Sequence, residues 1–182
     1  MDIMIQILSL SLVMKKERSI MKKNDITFNS DDIVFNYRIA GVIRNGNKIL
    51  VHQDNRSLHY TLPGGRCSFM EDSKLTLQRE IEEEIGYKVK FVKDISFLEN
   101  FFISSFNGKQ YHELLIVLEI CFENEDIYGL ESIPCIEEHK KDFLTFTWID
   151  IDELRQKNFK PEVLLDSIQN ENFDHIILSE IS

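Results

Sequence analysis

Arg79-Glu80-Ile81-Glu82-Glu83-Glu84-Ile85-Gly86-Tyr87, with Glu71 and Gly65 ahead of it, crowds glutamates onto one short segment behind a glycine turn. Carboxylates packed this closely repel one another unless a cation sits among them, and hard divalent cations such as Mg²⁺ prefer oxygen ligands. The segment therefore reads as a metal site. Its helical signals are local: Asp72 is an N-cap, Gly86 is a C-terminal stop, and no proline or glycine interrupts residues 73–85. At about 100° per residue, Leu77, Ile81 and Ile85 form an apolar stripe, and Glu80, Glu83 and Glu84 edge it within an arc of roughly 100°. Arg79 stands one turn before Glu83 and can hold a carboxylate in one orientation. Glu82 points away into solvent.

Upstream, His59-Tyr60-Thr61-Leu62 reads as the end of a strand running into Pro63-Gly64-Gly65. The paired glycines permit a turn that other residues resist, and a carbonyl exposed there, with Gly64 the candidate, is one more hard ligand.

The pattern Gly65-x5-Glu71-x7-Arg79-Glu80-Ile81-x-Glu83-Glu84-x-Gly86-Tyr87 resembles the complete signature of the Nudix (MutT-like) hydrolases. Tyr87 alone departs from it, standing where the family usually has an aliphatic residue. The resemblance implies an α/β/α sandwich, a mixed β-sheet between helices of α/β (α+β) class. It also implies a metal-dependent hydrolase that cleaves a pyrophosphate bond in a nucleoside diphosphate linked to another moiety, with Mg²⁺ or Mn²⁺ as cofactor. Carried over position by position, Glu83 and Glu84 are metal ligands, Gly64 lends its carbonyl, and Arg79 orients a glutamate. Glu80 is a ligand or positions the attacking water, while Glu71 and Gly65 support the site. The family's general base varies in place. Candidates here are Glu113 at the start of a long strand, and Glu137 and Glu138 ahead of a later one. Arg38 and Arg66 are the candidate substrate-phosphate contacts. Aromatics such as Tyr37, Phe101, Phe102 and Tyr111 stand in strands, where most aromatics are core.

Subgroup markers for ADP-ribose pyrophosphatases, dinucleoside polyphosphate hydrolases and the coenzyme A and NADH enzymes are missing, which leaves the substrate open. Two other readings stand beside hydrolysis: a Nudix-fold sensor that binds a nucleotide without cleaving it, and a diphosphate isomerase of related fold. Sensors commonly lose signature glutamates, and this chain keeps them; an isomerase needs an extra acid or cysteine base placed over the substrate, and no feature here requires one.

The rest of the chain agrees with one enzyme domain. With 182 residues and 43% hydrophobic content it can bury one substantial core and is short for two. A formal charge of -10 disfavours nucleic acid and acidic membranes as partners, and makes an anionic substrate dependent on metal ions. Cys67, Cys121 and Cys135 form no CxxC pair, which fits a reducing, cytoplasmic setting with structural thiols. None of the histidines forms a zinc-like or nucleophile-like pattern. A homodimer is the family expectation.

Residues 1–30 are expected to be an N-terminal extension, disordered or lying upstream of the true start, and residues 31–182 the domain. The apolar run Met1–Val13 is too short to span a bilayer, and Met14 and Met21 are each followed by two lysines. Strands are expected over 37–44 and 48–53 around an Asn45-Gly46-Asn47 hairpin, then 88–92, 95–102, 111–122 and 145–149. A second helix is expected over 161–168, opened by Pro161, and 123–132 reads as an acidic surface loop.

Overall fold

The computed structural model of the chain describes residues 24–55, 59–170 and 173–181. The apolar run Met1–Val13 and the alternative starts at Met14 and Met21 lie outside them. In chain order the elements are β1 (Thr27–Ser30), β2 (Ile33–Val42), β3 (Arg44–Asn45), β4 (Lys48–Asp54), β5 (Tyr60–Thr61) and β6 (Gly64–Arg66). Then follow α1 (Ser73–Ile85), β7 (Val89–Ile103), β8 (Gln110–Phe122), a 3-10 turn (Glu125–Gly129) and β9 (Ser132–Pro134). The chain closes with β10 (Leu144–Asp150), α2 (Ile151–Leu154), α3 (Leu164–Asn170) and β11 (Asp174–Ser179).

One sheet runs β1-β2-β8-β7-β11 with β6 paired to β2, and a second runs β3-β4-β10-β9 with β5 paired to β4. The first is mixed: β2 and β8 are parallel, as are β7 and β11, and its other pairs are antiparallel. The expected strand over 37–44 changes sheets. It ends as β2 at Val42, passes the fully buried Ile43, and re-pairs as β3 through the Gly46 hairpin onto β4.

Strand alternation sends successive side chains to opposite faces, and each face has its own core. On one, Leu77, Ile81 and Ile85 of α1 pack with Ile39, Leu118, Ile120 and Phe122 of the first sheet and with Leu50 and Phe146 of the second. On the other, Ala40, Val42, Leu115 and Val117 meet Ile49 and Val51, closed over by Leu154, Leu164, Leu165 and Ile168 from α2 and α3. Helices on both faces of a mixed sheet give the α/β/α sandwich.

Several expectations change. The strands over 88–92 and 95–102 are one, β7, with register shifts between Phe91 and Lys93 and between Asp94 and Ser96 that reset the side-chain alternation. The helix over 161–168 begins later, at Leu164, because Pro161 and Glu162 are spent in turns whose carbonyls accept from Leu164 and Leu165. Residues 123–132 do not lie free as a surface loop: Ile127 is fully buried and Tyr128 stacks on Trp148 at 5.5 Å. The sequence boundary at residue 31 falls between two paired strands, β1 and β2. β11, unforeseen, adds in parallel to the edge of β7.

Candidate active site

α1 begins and ends where its cap residues place it. The Asp72 carboxylate accepts from the Leu75 N–H at 2.9 Å, and Gly86, at φ 82°, donates its N–H to the Glu82 carbonyl. Glu82, Glu83 and Glu84 thus stand at the negative end of the helix dipole, in a last turn with no basic residue. Two of the helix glutamates, Glu80 and Glu84, are also buried at 2% exposure. Repulsion, dipole and burial all act against these carboxylates, so cations must offset them.

Arg79 is the first such cation. Its Nε and Nη2 each donate to Glu71 at 2.8 Å, to Oε1 and Oε2 respectively. Nη1 donates to Glu80 Oε1 at 2.6 Å and to Glu83 Oε2 at 3.2 Å, and Nη2 also reaches the Arg66 carbonyl at 3.2 Å. One planar guanidinium therefore joins the loop, the glycine strand and both helix glutamates, which a lysine's point charge does not do. The Arg79 hydrogen bond holds the Glu71 carboxyl below its usual range.

The second cation is Lys140, in the turn before β10. Its Nζ donates to Glu84 Oε1 at 2.7 Å, pairs with Glu137 Oε2 at 2.8 Å and lies 3.9 Å from Glu80 Oε2. Burial pushes the Glu84 carboxyl up to about 7, against the opposing pull of Lys140. The partner's ammonium, penalised by its own burial, is nonetheless raised by Glu84 and Glu137. Both directions describe one buried charge cluster short of positive charge. Glu84 Oε2 is buried with no hydrogen-bond partner. Among the described residues no three His, Cys, Asp or Glu groups are already gathered as a metal cage.

The glycine turn is itself strand β6, paired with β2 so that Gly64 faces Ala40 and Gly65 faces Ile39. A Cβ on Gly64 would stand 2.1 Å from the Ile39 carbonyl oxygen, and one on Gly65 would stand 2.2 Å from the Glu80 carboxyl carbon. Glu80 packs directly on the Gly65 backbone.

The structure brings Glu71, Arg79, Glu80, Glu83, Glu84 and Gly65 together, with Gly64 next to them in the chain. Of the three base candidates it adds only Glu137. Glu138 is turned outward to an exposed pair with Lys141 at 2.8 Å. Glu113 lies on the opposite face of the first sheet, in phase with Leu115 and Val117, 3.8 Å from Arg38. Arg38 and Arg66 are register partners on β2 and β6, and Arg66 Nε donates to Asn36 Oδ1 at 3.2 Å.

Sequence reasoning missed four residues here. Asn36 and Asn100 flank Glu113 in register across three strands, forming a buried polar row in which Asn100 Oδ1 has no partner. Lys140 carried no periodic signal, since it sits in a turn far from the helix it neutralises. His52, whose Nε2 lies 2.8 Å from Thr61 Oγ1, is held down to about 3, mainly by burial and then by Arg38. Polar side chains inside a strand pattern were the available clue. Beside the Lys140 turn, a cavity of about 250 Å³ is lined by Gln53, Tyr60, Asp142, Phe143 and Thr145. No described helix is long and apolar enough to cross a membrane.

The fold is shared with solved structures. A NUDIX hydrolase from Nitrosomonas europaea is similar with a TM-score of 0.57 and 14% identity, over 80% of this chain and 79% of that one. A mutator MutT protein from Bacillus halodurans gives 0.56 and 15%, over 80% and 91%. An ADP-ribose pyrophosphatase from Streptococcus suis gives 0.51 and 16%, over 79% and 98%. At these identities the likeness is one of fold. Among curated proteins none matches the sequence. The family model described as the NUDIX domain matches residues 35–166, from within β2 to within α3, and the chain belongs to the Nudix hydrolase family.

Proposed function

We propose that this protein is a divalent-metal-dependent hydrolase that cleaves the pyrophosphate bond of a nucleoside diphosphate derivative. The observation that carries the reading is the buried Glu80 and Glu84 pair with Glu84 Oε2 unpartnered, and Glu137 held by the same lysine as Glu84. An all-oxygen donor set short of positive charge fits Mg²⁺ or Mn²⁺ and does not suit a soft metal. Glu80, Glu83, Glu84 and the Gly64 carbonyl would hold the ion. When bound, it supplies Lewis-acid charge that offsets the negative charge growing on the diphosphate.

The chain's own groups do the remaining work. Arg79 fixes Glu71, Glu80 and Glu83 in one arrangement, so the carboxylates need no reorganisation when substrate arrives. Glu137 is the base candidate placed beside them, and its Oε2 would take the proton of the attacking water. Arg66, whose carbonyl Arg79 holds beside the carboxylates, would supply positive charge for the diphosphate, with Arg38 its register partner on β2.

The test is phosphate release, coupled through a phosphatase or pyrophosphatase, from a panel of nucleoside triphosphates, sugar nucleotides and related diphosphates with and without Mg²⁺ or Mn²⁺. Metal-dependent turnover of one member is the expected result. Tight binding of one compound with no turnover of any replaces this reading with a nucleotide sensor.

A further inference from the structure

We propose that Lys140 is a displaceable internal counter-ion, whose ammonium holds the place of the divalent cation beside Glu80 and Glu84 until the metal enters. The inference rests on the metal site proposed above. It begins from α1, which carries its glutamates at the dipole's negative end with no basic residue in the last turn. Arg79 pairs with Glu71, Glu80 and Glu83. Lys140 answers Glu84 and Glu137, at 2.7 and 2.8 Å, while staying 3.9 Å from Glu80.

Ammonium and metal cannot share this space. Mg²⁺ draws its oxygens to about 2.0–2.1 Å and tolerates little departure from octahedral geometry. An ammonium hydrogen-bonded to Glu84 and ion-paired with Glu137 keeps these carboxylates spaced around itself instead, in keeping with the lack of a gathered cage among the described residues. Glu84 Oε2, buried and unpartnered, is the ligand position that the lysine leaves unfilled. The neighbouring Lys141 pairs outward with Glu138, so only one of the two adjacent lysines takes part.

The Lys140 backbone is fixed. Its N–H donates to the Glu137 carbonyl at 2.9 Å, and its own carbonyl accepts from Phe143 at 3.1 Å and Leu144 at 2.9 Å. Departure is therefore a rotation of the side chain toward solvent, with Glu137 left in place. The device keeps the charge cluster folded without metal and lowers the site's affinity for the ion.

The full-length chain with Lys140→Met is compared with wild type and with Lys141→Met, which removes the same charge one residue away. Mn²⁺ affinity is read from the spin-resonance signal of free Mn²⁺, and melting is followed with and without Mn²⁺. Expected are Mn²⁺ binding on the order of tenfold tighter in Lys140→Met, a lower metal-free melting temperature, and a larger rise on adding Mn²⁺. Lys141→Met is expected to track wild type. Equal or weaker Mn²⁺ binding by Lys140→Met overturns the proposal, as does equal tightening in Lys141→Met, which would make the effect one of net charge. If wild type and both variants bind no Mn²⁺, the metal site itself falls and the proposal with it. Should Lys140→Met not fold, Lys140→Gln, which keeps a donor for Glu84, makes the same comparison.

Discussion

Glu84 is held by the helix at a place where water cannot reach it, so its charge is worth keeping only for a cation. Glu84→Gln and Glu83→Gln are expected to lower kcat by two or more orders of magnitude, a loss of roughly 3 kcal/mol of transition-state stabilisation, with the circular dichroism spectrum unchanged. Near-normal turnover in both variants would remove the proposed site. Gly65→Ala pushes a methyl group into the Glu80 carboxyl, so it should lose activity without losing the fold; wild-type kcat would contradict that contact. His52 has a different consequence. Its folded pKa, about 3, lies below the ordinary 6.5, so on acidification the unfolded chain takes up this proton first. The stability this group contributes is complete above 6.5 and is lost as pH falls from there toward 3. Melting temperature against pH should fall less steeply across that window in His52→Gln, and parallel curves would show that another group dominates.

At the scale of the element, α1 was legible because everything that defines it is local: its cap, its stop, its stripe and its carboxylates lie within residues 71–87. The stripe also carries stability. Ile81 is fully buried in the core that α1 shares with both sheets, so Ile81→Ala should destabilise by about 2–5 kcal/mol in urea titration. A change below about 1 kcal/mol would mean the helix is held mainly by its ion pairs. The arrangement of Arg79 was half legible, since Glu83 is one turn away on the same helix while Glu71 comes from the preceding loop. Lys140 was not legible in this sense, and Glu137 was named only as one of three base candidates, because no period links a turn residue to a helix that it meets only in the folded chain. The start of α3 was misread for a related reason: proline suits a first helical turn, but here it opens a separate turn, and the helix follows.

Over the whole molecule, the mixed sandwich follows from a sequence that alternates strands with one strongly marked helix, but the sheet edges do not. β1 and β11 are mostly exposed, carry little apolar alternation and pair with long strands that already have a full partner on the other side. β11 nevertheless protects β7, a strand of 15 residues. Ending the chain at residue 172 is expected to leave metal-dependent turnover measurable while exposing the β7 edge to other chains. Concentration-dependent light scattering should then appear, and a truncated chain that stays monomeric would show that the edge is guarded by other means. The turn ahead of β10 bears on time as well as on charge. Since three backbone hydrogen bonds pin Lys140 at both of its peptide groups, clearing the way for an ion asks for no movement of one sheet against the other. Exposed side chains change rotamer in picoseconds to nanoseconds, whereas lids and domains take microseconds to milliseconds. The site can thus be shut by charge and opened by the movement of a single side chain, so loading with metal asks for no lid or domain to move.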